Sequence, residues 1–351
     1  MGEFLMSRHR ALPAYVPGEH AEGDHFIRLN TNESPYPPSA GVAAAVAGEI
    51  DQLGFYNDPD CTQIRRALAG LYGVAPENVA VGNGSDELLY FAFLAFADAQ
   101  HPIALPDITY DYYDLFAAVQ GIPLHRIPLR EDFSVDVNAY CGLGEMIVLT
   151  NPNAPTGYAV SVEEIERIAK SNPGSVVLID EAYVDFGAET CLPLIETCDN
   201  LLVVRTFSKS RSMAGARIGY CFGCASLIAQ LETIRNAVNL YSVSRMAQAA
   251  GTAAVAENDY YMARCREIMD SRAMATGALR GMGFEVLESL GNFFFARYPG
   301  KSGKAIAAAL RERGILVRRW DAPRIEDYLR ITVGTREQML ALINAMEGIV
   351  R

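Results

Sequence analysis

Three short apolar runs, each breaking off into a polar cluster, constrain this chain more than anything else in it. Met146-Ile147-Val148-Leu149-Thr150 leads into Asn151-Pro152-Asn153-Ala154-Pro155-Thr156-Gly157. Ser175-Val176-Val177-Leu178-Ile179 leads into Asp180-Glu181-Ala182-Tyr183, and Leu201-Leu202-Val203-Val204 into Arg205-Thr206-Phe207-Ser208-Lys209. Runs this short and uniformly apolar read as strands covered on both faces. Asn153, Asp180 and Lys209 stand 27 and 29 residues apart, about one strand-helix-strand unit each. Right-handed crossovers between parallel strands then bring all three to one edge of a sheet, where open α/β sheets bind ligands. The expected fold class is therefore α/β.

The residues delivered to that edge have a definite chemistry. A lysine beside fixed positive charge in a dry site loses its proton more easily, and a neutral amine can form a Schiff base. Arg217, eight residues past Lys209, with hydroxyls at Ser208 and Ser210, suits an anionic group held next to the amine. Lys209, Asp180, Asn153 and Tyr183 bring together an amine, a carboxylate, an amide and a phenol, as pyridoxal phosphate chemistry requires. The carboxylate keeps the pyridine nitrogen protonated, so that the ring accepts electrons from a substrate α-carbon. Upstream, Val79-Ala80-Val81 followed by Gly82-Asn83-Gly84-Ser85-Asp86-Glu87 reads as strand, glycine turn and helix start. Free N–H groups at such a helix start favour a phosphate.

At these residues the sequence resembles the fold-type-I, pyridoxal-phosphate-dependent aminotransferases, and within them the histidinol-phosphate aminotransferase family. The resemblance rests on LNTNESPYPP from Leu29, GNGSDE from Gly82, NPNAPTG from Asn151, DEAYVDF from Asp180, RTFSKSRSMAGARIGY from Arg205 and YLRITVGT from Tyr328. Six motifs in the family's order cover residues 29–335. The resemblance implies a large domain with a mostly parallel seven-stranded sheet flanked by helices, and a smaller α/β domain. It implies a homodimer with shared active sites and pyridoxal 5′-phosphate as cofactor. It also implies transfer of the amino group of L-histidinol phosphate to 2-oxoglutarate, giving imidazole acetol phosphate and L-glutamate. By residue, it assigns Lys209 to the cofactor's carbonyl carbon, Asp180 to the pyridine nitrogen, and Asn153 and Tyr183 to the phenolic oxygen. Tyr110 becomes the aromatic plate over the ring. Ser85, Asp86, Thr206, Ser208 and Arg217, with Tyr56 from the partner, surround the phosphate. Arg330 and Arg318 bind the substrate's distal anion, and Tyr36 and Asn153 are further substrate contacts.

Other features bound the reading. Arg318, Arg319, Arg324, Arg330 and Arg336 collect near the C-terminus of a chain whose net charge is −12. Arg330 sits inside an otherwise apolar motif, where an unpaired charge is costly, and an arginine fork grips carboxylate or phosphate at two points. The acidic balance argues against general binding to nucleic acid or anionic membrane. The longest apolar run, Leu88 to Ala97, is too short for a bilayer. The first residues lack the apolar core of a signal peptide, so the cytoplasm is the expected location. Seven cysteines without a disulfide framework fit a reducing compartment, and Cys221-x-x-Cys224 has no second pair to complete a metal site. No metal is expected.

In domain terms the expectation is an N-terminal arm over 1–35, a large cofactor-binding domain over 36–255 and a small domain over 256–351. A single long helical region from about Leu227 to Met282 bridges the two. Rival activities are an aromatic amino-acid aminotransferase, a threonine-phosphate decarboxylase, and a regulator built on an inactive domain of this kind. The intact Lys209 and the short arm disfavour the last.

Overall fold

The computed structural model describes residues 4–10, 12, 18, 19 and 26–351. Most of the expected N-terminal arm lies outside them. From residue 26 the chain runs β1 (Ile27–Leu29), α1 (Ala40–Gly48), α2 (Thr62–Tyr72), β2 (Val79–Gly82), α3 (Ser85–Phe96), β3 (Ile103–Pro106), α4 (Tyr112–Gln120) and β4 (Leu124–Ile127). It continues through β5 (Met146–Thr150), α5 (Val162–Ser171), β6 (Val177–Asp180), β7 (Leu201–Thr206) and β8 (Gly219–Phe222). Then come α6 (Ala225–Val238), α7 (Arg245–Ala256), α8 (Asn258–Gly281), β9 (Glu285–Val286), β10 (Phe293–Arg297), α9 (Gly303–Glu312), β11 (Ile315–Val317), β12 (Leu329–Thr332) and α10 (Arg336–Val350).

Seven strands form the large sheet in the order β2-β8-β7-β6-β5-β3-β4, and β8 alone runs against its neighbours. The uniformly apolar strands are explained by what covers them. Ile147, Leu149, Val177, Ile179, Leu201 and Val203 enter one core, while Met146, Val148, Leu178, Leu202 and Val204 enter another on the opposite face. This is the period-two alternation of a strand buried on both sides. α3 is apolar all round because it is packed into the second core through Leu88, Leu89, Phe91, Ala92 and Phe93. Parallel register sets Thr150 opposite Asp180 and Asp180 opposite Val204, so the strand ends with chemistry on them are level.

A third core surrounds the sheet β12-β10-β9 with α8, α9 and α10. β1 pairs in parallel with β11 and buries Leu29 in this core, so the expected arm over 1–35 includes a strand. The long helical region expected from Leu227 to Met282 is three helices. Asn239 leaves the helical conformation after α6, and the Ser244 side chain accepts the Ala247 N–H to start α7 afresh. A second break falls at Glu257. Most buried residues of α7 belong to the first core, and those of α8 from Cys265 onward to the third. Among the described residues no helix is long and apolar enough to cross a membrane.

Candidate active site

A cavity of about 270 Å³ opens at the C-terminal ends of the parallel strands, between the large sheet and the third core. Of the residues singled out in the sequence, Ser85, Asp86, Tyr110, Asp180, Tyr183, Thr206, Ser208, Lys209, Arg217, Arg318 and Arg330 line it.

Lys209 stands three residues past β7, and its Nζ donates to the Thr31 carbonyl at 3.3 Å. Its side chain keeps some surface open to the cavity, yet the surrounding protein withdraws it from bulk water. Burial, and then the positive charge of Arg330, lower its pKa to about 8. The amine is thus much closer to neutrality than a surface lysine.

Asp180, 3% exposed at the end of β6, accepts from the Tyr113 hydroxyl at 2.9 Å and from the Ala182 N–H at 3.1 Å. Burial still pushes its pKa up to about 6. No cation pairs with it among the described residues. A buried carboxylate in this condition is set for a proton-bearing nitrogen.

The α3 N-terminus forms the third part. Gly84, at φ +83°, precedes the helix without a side-chain cap, which leaves first-turn N–H groups facing the cavity. β8 approaches so closely here that a Cβ on Gly219 would fall 2.3 Å from the Ser85 nitrogen; only glycine fits. Arg217, itself left-handed at φ +53°, donates to Asp86 at 3.0 Å. The Thr206 hydroxyl donates to Ser208 at 2.9 Å. Tyr110 donates to Asp86 at 3.1 Å and packs against Tyr112 and Tyr113 with ring centroids 5.6 and 5.4 Å away.

Three of the sequence candidates lie elsewhere. Asn153 is buried just behind the wall, its carbonyl accepting from Thr109 and its amide donating to Ile108 and Thr156. It pins the loop that carries Tyr110. Tyr36 packs under Arg264 at 5.1 Å, and burial followed by a hydrogen bond with Glu267 pushes its pKa to about 12. Tyr56 is 81% exposed, stacked on Tyr241 at 4.8 Å beside the exposed Phe55 and Leu53.

Several site residues escaped the sequence reading. Tyr113, not singled out there, is fully buried and bonds Asp180. Asn32, left-handed at φ +53°, donates to the Tyr183 hydroxyl at 3.1 Å, and Asn30 offers its carbonyl to Arg330 at 2.8 Å. The asparagines of the LNTNE motif were the available signal. Trp320 and Asp111 also line the cavity.

An activated amine, an uncompensated buried carboxylate, an arginine at an open helix N-terminus and an aromatic face together fit pyridoxal 5′-phosphate. The chain belongs to the aminotransferase class I and II family, whose model matches residues 24–346. It is 46% identical to histidinol-phosphate aminotransferase 2 of Burkholderia lata, over 97% of each chain. It is 44% identical, over the whole of both chains, to histidinol-phosphate aminotransferase 1 of Bradyrhizobium diazoefficiens. The histidinol-phosphate aminotransferase of Sinorhizobium meliloti, solved in complex with pyridoxal-5′-phosphate, superposes with a TM-score of 0.90 at 26% identity, covering 100% of this chain and 98% of that one.

Proposed function

We propose that this protein transfers the amino group of L-histidinol phosphate to 2-oxoglutarate, in histidine biosynthesis, using pyridoxal 5′-phosphate as cofactor. The observation that carries the reading is the pair Arg318 and Arg330 on the cavity that holds Lys209. Full-length similarity to histidinol-phosphate aminotransferases supports the choice of donor.

When bound, the cofactor supplies an electron sink for the substrate α-carbon. Lys209 Nζ, which gives up its proton more readily than a surface lysine, would hold the cofactor at its carbonyl carbon and carry the proton taken from the donor's α-carbon. The Asp180 carboxylate holds the proton on the pyridine nitrogen. The Tyr113 hydroxyl and the Ala182 N–H keep that carboxylate oriented and charged. Arg217, Ser208, Thr206 and the N–H groups at Ser85 and Asp86 hold the cofactor phosphate. Tyr183 orients the phenolic oxygen, and Asn153 acts through the Thr109–Tyr110 loop it pins. Arg330 and Arg318 grip the donor's phosphate, then a carboxylate of glutamate or 2-oxoglutarate. One site serving two substrates in turn gives ping-pong kinetics.

The protein works as a cytoplasmic homodimer in this reading. The exposed Tyr56, beside Phe55 and Leu53, reaches the partner's cofactor phosphate, so each site is completed by two chains. A spectral titration tests the proposal: donors are added singly to the cofactor-loaded protein without keto acid. Histidinol phosphate and glutamate should bleach the visible band, and 2-oxoglutarate should restore it. A band unmoved by histidinol phosphate refutes the reading, and release of carbon dioxide from threonine phosphate would make the protein a decarboxylase.

A further inference from the structure

The two arginines of the anion site are set by pairing. The Arg318 N–H donates to the Arg330 carbonyl at 3.0 Å, and the Arg330 N–H returns a bond to the Arg318 carbonyl at 2.8 Å. Residues opposed in this way carry their side chains on one face. Trp320, two residues past Arg318, returns to the same face. Both guanidinium carbons lie 5.3 Å from its ring. Two cations held this close repel each other, while the indole face attracts both.

The indole is itself fixed from the far side. Its Nε1–H donates to Asp111 Oδ2 at 2.8 Å. Asp111 directly follows Tyr110, so the bond ties the anion site to the loop carrying the aromatic plate. The segment between β11 and β12 that carries Trp320 is tied down again by Arg324, which donates to the Leu129 carbonyl at 3.1 Å and the Arg130 carbonyl at 2.6 Å. Trp320, Tyr110 and Asp111 also border a second cavity of about 100 Å³, lined further by Asp107, Asp114 and Arg126. The indole is thus part of the partition between two spaces. Shrinking it would give the guanidinium groups room to spread.

We propose that Trp320, anchored by Asp111, is a positioning residue that holds Arg318 and Arg330 in register and so sets the preference for a phosphate-bearing donor. This rests on the proposed function. Trp320 lies against the two arginines, so its effect belongs in donor affinity. Loss of its indole face should weaken affinity for a phosphate dianion by roughly tenfold or more.

The test uses the cofactor-loaded protein and its Trp320→Leu, Trp320→Phe and Asp111→Ala variants. Initial rates are measured with histidinol phosphate and with histidinol at fixed 2-oxoglutarate. Trp320→Leu should raise KM for histidinol phosphate by about tenfold or more and lower the discrimination against histidinol to match. Trp320→Phe, which keeps a ring and loses the N–H, and Asp111→Ala should each show a smaller shift of the same kind. Trp320 is the only tryptophan in the chain. In the loaded wild type, where the cofactor fills its own phosphate cradle, inorganic phosphate should change the tryptophan fluorescence saturably and compete with histidinol phosphate. Unchanged discrimination in Trp320→Leu overturns the proposal; if that variant does not fold, unchanged KM in both Trp320→Phe and Asp111→Ala does so. A wild type that does not prefer histidinol phosphate over histidinol would instead refute the proposed function, and a fluorescence response to phosphate would still show the anion site.

Discussion

Replacing Asp180 with asparagine should stabilise the cofactor-free protein while destroying its use. Asp180 is 3% exposed, and burial raises its pKa from 3.8 to about 6. Between those two values the native state keeps a proton that the unfolded state has released. The native state therefore binds more protons there, and stability falls as pH rises through the window. Above about pH 6 the loss is complete. About two pH units at about 1.4 kcal/mol each make it about 3 kcal/mol. Asparagine is close in shape and stays neutral, so it removes this loss. The Tyr113 hydroxyl lies 2.8 Å from Thr150 and can turn its proton there to accept from the new amide. Weaker neutral hydrogen bonds give back about 1 kcal/mol, leaving a net gain of about 2 kcal/mol at pH 7.

Urea unfolding of both cofactor-free proteins between pH 4.5 and 7.5 measures this. The difference in unfolding free energy should grow from near zero at the acid end to about 2 kcal/mol in favour of Asp180→Asn. Saturating pyridoxal phosphate should reverse the order, because only the wild type offers the pyridine nitrogen a carboxylate. A difference that does not vary with pH, or a variant less stable than wild type at pH 7 without cofactor, would refute the reasoning.

Lys209→Ala should keep pyridoxal phosphate through the α3 cradle but lose turnover by orders of magnitude, and borohydride should no longer fix the cofactor to the chain. Near-normal turnover would sink the assigned role. Covalent capture of cofactor by the cofactor-free wild type should quicken with pH around a midpoint near 8, where Lys209 loses its proton. Arg330→Gln removes the second cause of that lowered value and should move the midpoint upward; an unmoved midpoint would contradict the assigned electrostatics. Tyr113→Phe deletes a hydrogen bond that favours the Asp180 carboxylate. Cofactor affinity should fall by about tenfold, more steeply at acid pH. Equilibrium titration of the cofactor checks this.

The sheet and the strand-end residues were legible because each signal is local. An apolar run followed by Asp180 or Lys209 needs no distant partner to be read. What escaped depends on contacts between remote segments. Helical spacing assigns Tyr113 to packing, and its ring does pack, but its hydroxyl reaches Thr150 and Asp180 because the start of α4 lies near the ends of β5 and β6. Trp320 acquires its meaning only from the pairing of Arg318 with Arg330. The resemblance alone made Tyr36 a substrate contact, and its contacts with Arg264 and Glu267 on α8, more than two hundred residues away, could not be read from its own segment. The break between α6 and α7 was hidden by alanine-rich spacing that continues on both sides, although Ser244 is an ordinary helix start.

The most direct measurement is the full reaction: glutamate formed from 2-oxoglutarate, with histidinol phosphate and phenylalanine compared as donors at matched enzyme. A site built to grip the distal phosphate should give histidinol phosphate a kcat/KM at least about a hundredfold higher, with parallel double-reciprocal lines as the second substrate is varied. Equal kcat/KM for phenylalanine would contradict the account and make the protein a broad aromatic aminotransferase.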